Sequence, residues 1–189
     1  MLNALLVVAT LISQAPAEEP VAAPEPNKWE IFVGLTGGLR TESTSFGGAG
    51  VLGINRRIFS WLRPELSVGL GLYDGPLDAV IPIRIGTRIE WPGDARVKPY
   101  LYVAFAHQHE MAWEHAKMDP VLGILGLSSH GEHGVNHRSG LDTGLGLSID
   151  VLRFGGFGLR ANVRASLVQL LGDGPPRYID VTGTVGLTF

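Results

Sequence analysis

The chain has no cysteine among its 189 residues, so it cannot form disulfide bonds, thiolate metal sites or a cysteine nucleophile. Beyond the extreme N-terminus it also has no run of about eighteen apolar residues, which argues against a spanning helix. Charge is scarce and nearly balanced, with a formal net charge of -3. Lysine and arginine form no stripe that could follow a phosphate backbone, so nucleic acid is not an expected partner.

The N-terminal part of the chain carries two distinct composition signals. Residues 5–12 form a short apolar core, and Ala15-Pro16-Ala17 has the small-residue pattern of a signal-peptidase site. We interpret residues 1–17 as a secretory signal peptide, with an N-terminal helix as the alternative. Residues 18–27 contain three prolines among alanine and glutamate, a composition that stays extended and does not pack. We therefore expect a Pro/Ala-rich tether at 18–27 and one domain at 28–189.

From Trp29 onward, apolar and polar residues alternate with a period of two, as in a strand with one apolar and one polar face. The pattern predicts strands near 29–40, 46–56, 62–73, 79–91, 97–109, 140–151, 157–169 and 177–189. Tilted strands need about nine to eleven residues to cross a bilayer, and these segments are long enough. Short turns alternate with longer loops, the longest at 110–139, as in outer-membrane barrels.

The last strand carries the most specific motif. Ile179, Val181, Val185 and Leu187 share one face, and the chain stops at Phe189. This resembles the closing strand of bacterial outer-membrane β-barrels, which is amphipathic, ends in Phe and is read by the barrel assembly machinery. The whole domain is similar to small barrels of the OmpA transmembrane-domain and OmpX kind. The resemblance implies an all-β, eight-stranded antiparallel up-and-down transmembrane β-barrel that is monomeric and surrounded by outer-membrane lipid.

Alternation alone does not say which face is outside, and a soluble lipocalin-like barrel is the alternative. Glycines such as Gly34, Gly86 and Gly146 recur on the polar face, where they make room for large neighbours inside a narrow barrel. The large apolar side chains are too many for the interior of eight strands, which side chains just fill. Aromatic residues at strand ends also suggest a girdle at one rim: Trp29, Trp91, Phe157 and Phe189. We therefore predict that the polar face lines the lumen.

A polar lumen would enclose many charges. Buried charges persist when they are paired and hydrogen-bonded, so we predict a salt-bridged plug and no open pore, with an ion path as the alternative. The residues concerned are Arg63, Arg84, Arg88, Arg160, Arg164, Glu30, Glu65, Glu90, Asp142, Asp150 and Asp180.

All six histidines fall between residues 107 and 137, around the third outward loop. His107 and His109 lie two apart on a strand and so share a face, whereas His130 and His133 occupy a glycine-flanked turn. Neutral imidazole suits zinc, copper or nickel, and a histidine cluster can respond to acid. We name five candidate ligands for a divalent transition metal, with a merely histidine-rich polar loop as the alternative: His107, His109, His130, His133 and His137. No other cofactor is expected.

An enzyme is a weaker possibility. His137, Ser139 and Asp150 superficially resemble the His, Ser and acid of small barrels that deacylate lipid A. By strand parity, however, Asp150 points into the lumen near the opposite rim from Ser139, so we predict a non-enzyme. The function expected first is a structural or surface-interaction role in the outer membrane. The alternatives are metal- or pH-responsive binding through the histidine-rich loop, and lipid modification.

Overall fold

The computed structural model describes residues 29–42, 45–74, 79–93, 95–112, 135–172 and 177–189. The strands are β1 Trp29–Arg40, β2 Phe46–Arg56, β3 Leu62–Tyr73, β4 Ala79–Glu90, β5 Val97–Met111, β6 Asn136–Phe154, β7 Phe157–Leu170 and β8 Arg177–Thr188. Each strand pairs antiparallel with the next, and β8 pairs with β1, so the sheet closes into a barrel. The predicted all-β, eight-stranded antiparallel architecture is confirmed. The signal peptide and tether predicted at 1–27 lie outside the described residues.

Among the described residues, no helix is both long and apolar enough to cross a membrane.

Barrel closure joins the two ends of the described chain. Trp29 N–H donates to the Phe189 carbonyl at 2.9 Å, and Phe189 N–H donates to the Trp29 carbonyl at 3.0 Å. The same end carries the short turns, and we call it the terminal rim; the opposite end, which carries the longer loops, is the loop rim. Because β8 pairs with both β7 and β1, the sheet has no open edge, as a strand structure in lipid requires.

The apolar face of every strand points outward. Leu35 is 73% exposed and Leu145 is 69% exposed, and the same holds for the alternating apolar residues of the neighbouring strands. A soluble protein rarely exposes an apolar surface this continuous, whereas lipid contact accounts for it. The predicted orientation is confirmed and the soluble lipocalin-like alternative is wrong. The aromatic residues predicted to form a girdle lie at the terminal rim.

The bore holds the charges predicted for it, and all of them except Asp180 form ion pairs with other described residues; Asp180 accepts a hydrogen bond from the Tyr73 hydroxyl at 3.4 Å. Glu90 is ion-paired with Arg63, whose Nε lies 2.9 Å away, and accepts a hydrogen bond from Arg160 Nη1 at 3.0 Å. Farther along the bore, Arg84 Nε lies 3.1 Å from Asp142, and Arg88 is paired with Glu65. The Arg160–Glu90 pair joins β7 to β4 and the Arg84–Asp142 pair joins β4 to β6, so these two pairs link strands that are not neighbours in the sheet and help to hold the barrel's cross-section.

Glycine on the inner face makes room for rings, as expected. A Cβ at Gly146 would overlap the Tyr100 ring, and one at Gly53 would overlap the Phe32 ring. Outward glycines differ: a Cβ at Gly183 would have no atom within 4 Å. The inner glycines are therefore needed for close packing in a narrow bore.

One strand differs from its prediction. β6 begins at Asn136 rather than near Gly140 and continues to Phe154, with a register shift between Asp150 and Leu152. The segment before Gly140 has no apolar alternation to reveal a strand, but it pairs with the end of β5 from Ala106↔Gly140 to Glu110↔Asn136. As a result His137 and Ser139 lie on a strand and not in a loop.

Candidate functional site on the outer surface

Three histidines meet where β5 and β6 extend toward the loop rim. His107 lies opposite Ser139, and His109 lies opposite His137, in the antiparallel register of the two strands. His107, His109, His137 and Ser139 all have odd residue numbers. Odd-numbered residues face outward on these two strands, as the exposed Phe105 and Leu141 nearer the terminal rim show. The cluster therefore sits on the outside of the barrel, not in its bore.

The imidazoles are close enough to act together. The Nε2 atoms of His107 and His109 are 2.9 Å apart, and the ring centroids of His109 and His137 are 4.5 Å apart. His107 Nδ1 lies 2.8 Å from the Ser139 hydroxyl oxygen. One ring nitrogen from each histidine can be chosen so that all three atoms lie within 4.8 Å of one another. Protonation of one ring therefore disfavours protonation of its neighbours.

The cluster lies on the loop-rim side of the exposed apolar residues of β5 and β6. Ile83 and Ile81 of β4 are opposite His107 and His109. Ile81 is buried with Ala79, Met111 and Val135 in an apolar group on the same outer face. His109 is buried, His107 half-buried and His137 exposed. The three imidazoles thus border apolar surface on one side and remain accessible through His137 on the other.

A polar network on the inner face supports the strands that carry the histidines. Arg138 Nη1 donates to Glu110 at 3.3 Å, and Gln108 Nε2 donates to the same carboxylate at 2.8 Å. The Tyr178 hydroxyl also donates to Glu110, at 2.8 Å, and so links β8 to β5. Sequence reasoning missed this support because it placed Glu110 and Arg138 in a loop. Extending the odd–even parity of β5 and β6 would have turned both inward.

The donor set fits a metal ion of the zinc, copper or nickel type. Neutral imidazole nitrogens are preferred by these ions, whereas calcium and magnesium prefer oxygen. A tetrahedral ion about 2.1 Å from each nitrogen would need the nitrogens about 3.4 Å apart. His107 and His109 are already closer than this, and His137 would approach by side-chain rotation. A water molecule would complete the coordination, since the Ser139 hydroxyl is hydrogen-bonded to Nδ1 of His107 and not to the Nε2 that faces His109.

Two solved structures share the architecture. The crystal structure of Neisserial surface protein A aligns with a TM-score of 0.58 and 14% identity, covering 85% of this chain and 96% of that one. Ail, the attachment invasion locus protein of Yersinia pestis, aligns with a TM-score of 0.50 and 11% identity, covering 86% and 97%. This is the fold of the small outer-membrane β-barrels. At these sequence identities, the structural similarity of the barrels establishes the fold but not the function. No protein-family model and no curated protein matches the sequence.

The barrel brings together three of the five predicted ligands, namely His107, His109 and His137. His130 and His133 lie outside the described residues, so their part in the site stays a prediction.

The residues that suggested an enzyme are not assembled as one group. Asp150 lies near the terminal rim, where it is ion-paired with Arg160 at 2.8 Å and with Arg153. It therefore cannot orient a histidine beside Ser139 at the other end of the barrel. The hydroxyl of Ser139 is instead hydrogen-bonded to His107, a contact that the sequence did not indicate.

Proposed function

We propose that this protein is an outer-membrane barrel with a closed bore that binds a divalent transition metal of the zinc type at its outer surface. His107, His109 and His137 are the ligands. The observation that carries the proposal is the meeting of three imidazoles from two paired strands, with ligand atoms within 4.8 Å. The broader role is surface interaction in the outer membrane, and the metal site gives that role a specific chemistry.

The filling of the bore supports a function on the outside. Arg63, Arg88 and Tyr102 are fully buried side chains that project across the barrel interior. Between the charged layers, a polar cavity of about 30 Å³ lies among residues that include Arg84, Asp142 and Asp180. That space suits a single water and not a hydrated ion path. Transport through the barrel is therefore disfavoured relative to binding on its surface.

The placement of the histidines on strands supports metal binding over a loop that is histidine-rich by composition alone. Ladder hydrogen bonds and the Glu110–Arg138 pair hold the two strands in register, so the imidazoles are brought together before any ligand arrives. Preorganised ligands bind more tightly because less side-chain entropy is lost. The role that we propose for this site is binding rather than catalysis.

The test is a zinc titration of the chain folded in detergent, with binding measured by isothermal calorimetry. A His109→Asn/His137→Asn variant is expected to lose at least tenfold in affinity, because two of three nitrogen ligands are removed. The matched variant His130→Asn/His133→Asn removes the same number of imidazoles from outside the described residues. Unchanged affinity in the first variant, with loss in the second, would reject the strand site and place binding in the loop.

A further inference from the structure

The bore carries an excess of positive charge at its terminal rim, and we call this end of the bore the terminal mouth. Its carboxylates are Glu30, Glu90 and Asp150. They face a larger set of cations: Arg57, Arg63, Arg96, Lys98, Arg153 and Arg160. Among the residues that the structure describes, the mouth therefore has more guanidinium and ammonium groups than carboxylates to neutralise them.

The carboxylates are already engaged by other partners. Glu90 is ion-paired with Arg63 and Arg160, and Asp150 is paired with Arg160 and Arg153. Glu30 accepts from two amides, with Asn55 Nδ2 and Asn162 Nδ2 each 3.0 Å away, and lies 3.9 Å from Arg160. Arg96 donates to the backbone carbonyls of residues 150 and 151. None of these carboxylates is left to pair with a further cation.

Arg57 and Lys98 are the cations left over. The Arg57 Nε atom is buried and has no hydrogen-bond partner among the described residues. Lys98 faces into the bore from the start of β5 and is only 5% exposed, and no described side chain forms an ion pair with it. Burial and the charge of Arg57 lower the pKa of the Lys98 ammonium. Burial and the nearby charge of Arg160 lower the pKa of Arg57.

We propose that the terminal mouth binds a phosphate group, with Arg57 and Lys98 as its ligands. A guanidinium offers a planar fork of donors to phosphate oxygens, and an ammonium adds a compact charge. A bound dianion would satisfy the buried Arg57 Nε and remove the repulsion between the two cations. The group can come from a soluble phosphate or from the headgroup of an anionic phospholipid at the rim, since both present the same oxygens.

The chain itself could neutralise the mouth instead. Asp94 comes two residues before Arg96 in the sequence, and Glu25 comes four residues before Trp29; both are outside the described residues. If either carboxylate already occupied the mouth, an added phosphate would find no free cation. The experiment therefore uses the full chain, so that this competition is present.

The test measures phosphate binding by the full chain folded in a zwitterionic detergent. Inorganic phosphate is titrated by calorimetry, and retention of phosphatidylglycerol against phosphatidylcholine is measured by native mass spectrometry. Arg57→Gln/Lys98→Gln is expected to weaken binding at least tenfold. Arg177→Gln removes a cation at the loop rim and is expected to change nothing. Arg57→Lys/Lys98→Arg keeps both charges and is expected to stay within about threefold, which separates lost binding from lost folding.

Each outcome is decisive. Binding of inorganic phosphate alone identifies a soluble ligand, binding of phosphatidylglycerol alone identifies a lipid headgroup, and either result supports the site if the double variant loses it. Failure of both ligands to bind the unmodified chain overturns the proposal, as does equal binding by Arg57→Gln/Lys98→Gln.

Discussion

Glu90 neutralises two guanidiniums inside the bore, and replacing it with glutamine measures what the charged plug contributes to stability. Glu90 is 1% exposed and is ion-paired with Arg63 at 2.9 Å and with Arg160 at 3.0 Å. Removing one member of a buried ion pair costs about 3–5 kcal/mol, because a charge is left without compensation. Arg160 keeps Asp150 and Arg63 keeps a 3.3 Å bond to Asn55, so we expect the lower end of that range.

A loss of about 3 kcal/mol is roughly a 150-fold change in the unfolding equilibrium, at 1.36 kcal/mol per factor of ten. The assay is urea unfolding of the protein in phospholipid vesicles, followed by tryptophan fluorescence and analysed by linear extrapolation. Glutamine preserves the size of the side chain, so the measured difference reports mainly the charge.

Arg153→Gln serves as the control for Glu90→Gln. The Arg153 side chain is 62% exposed in its pair with Asp150, and exposed pairs contribute about 1 kcal/mol or less. If Glu90→Gln were as mild as Arg153→Gln, the ion pairs would not stabilise the barrel and the reasoning about the plug would be wrong.

Three further changes test packing, orientation and the metal site. Gly146→Val should cost about 1–3 kcal/mol in the same titration, because the new side chain overlaps Tyr100, whereas Gly183→Val should be nearly neutral. Leu145→Lys should cost about 2–4 kcal/mol, because it places a charge in lipid near the middle of β6, and Leu171→Lys at the loop rim much less. Lowering the pH from about 7.5 to 5.5 should weaken zinc binding, because protons compete with the ion for the imidazole nitrogens. An affinity independent of pH would point to carboxylate ligands instead.

Much of the barrel follows from local pattern. Alternation with a period of two predicts the bounds of β1, β2 and β3, including the glycine-rich β2. The glycines of the polar face also predicted that this face is inside, since a narrow bore has no room for a second side chain beside Tyr100 or Phe32. These features are predictable because side-chain direction alternates along any strand, whatever its partners.

The histidine site was predictable only in part. Spacing placed His107 and His109 on one face, but His137 was assigned to a loop because residues 136–139 show no apolar alternation. Those residues form strand because β5 continues beyond the lipid-facing band and offers its backbone groups to them. A ladder that extends past the membrane is held by backbone pairing and by the Glu110–Arg138 contact, neither of which leaves a hydrophobic period in the sequence.

By itself the sequence determined the strand count, the direction of each face and the set of charges that lie in the lumen. The tertiary structure decided which charges pair, which histidines meet and which cations at the terminal mouth form no ion pair with a described carboxylate. The division has a physical reason. Alternation depends on one strand alone, whereas Arg160 reaching Glu90 or His109 reaching His137 depends on register between strands far apart in the chain. Register is set by closing the whole barrel.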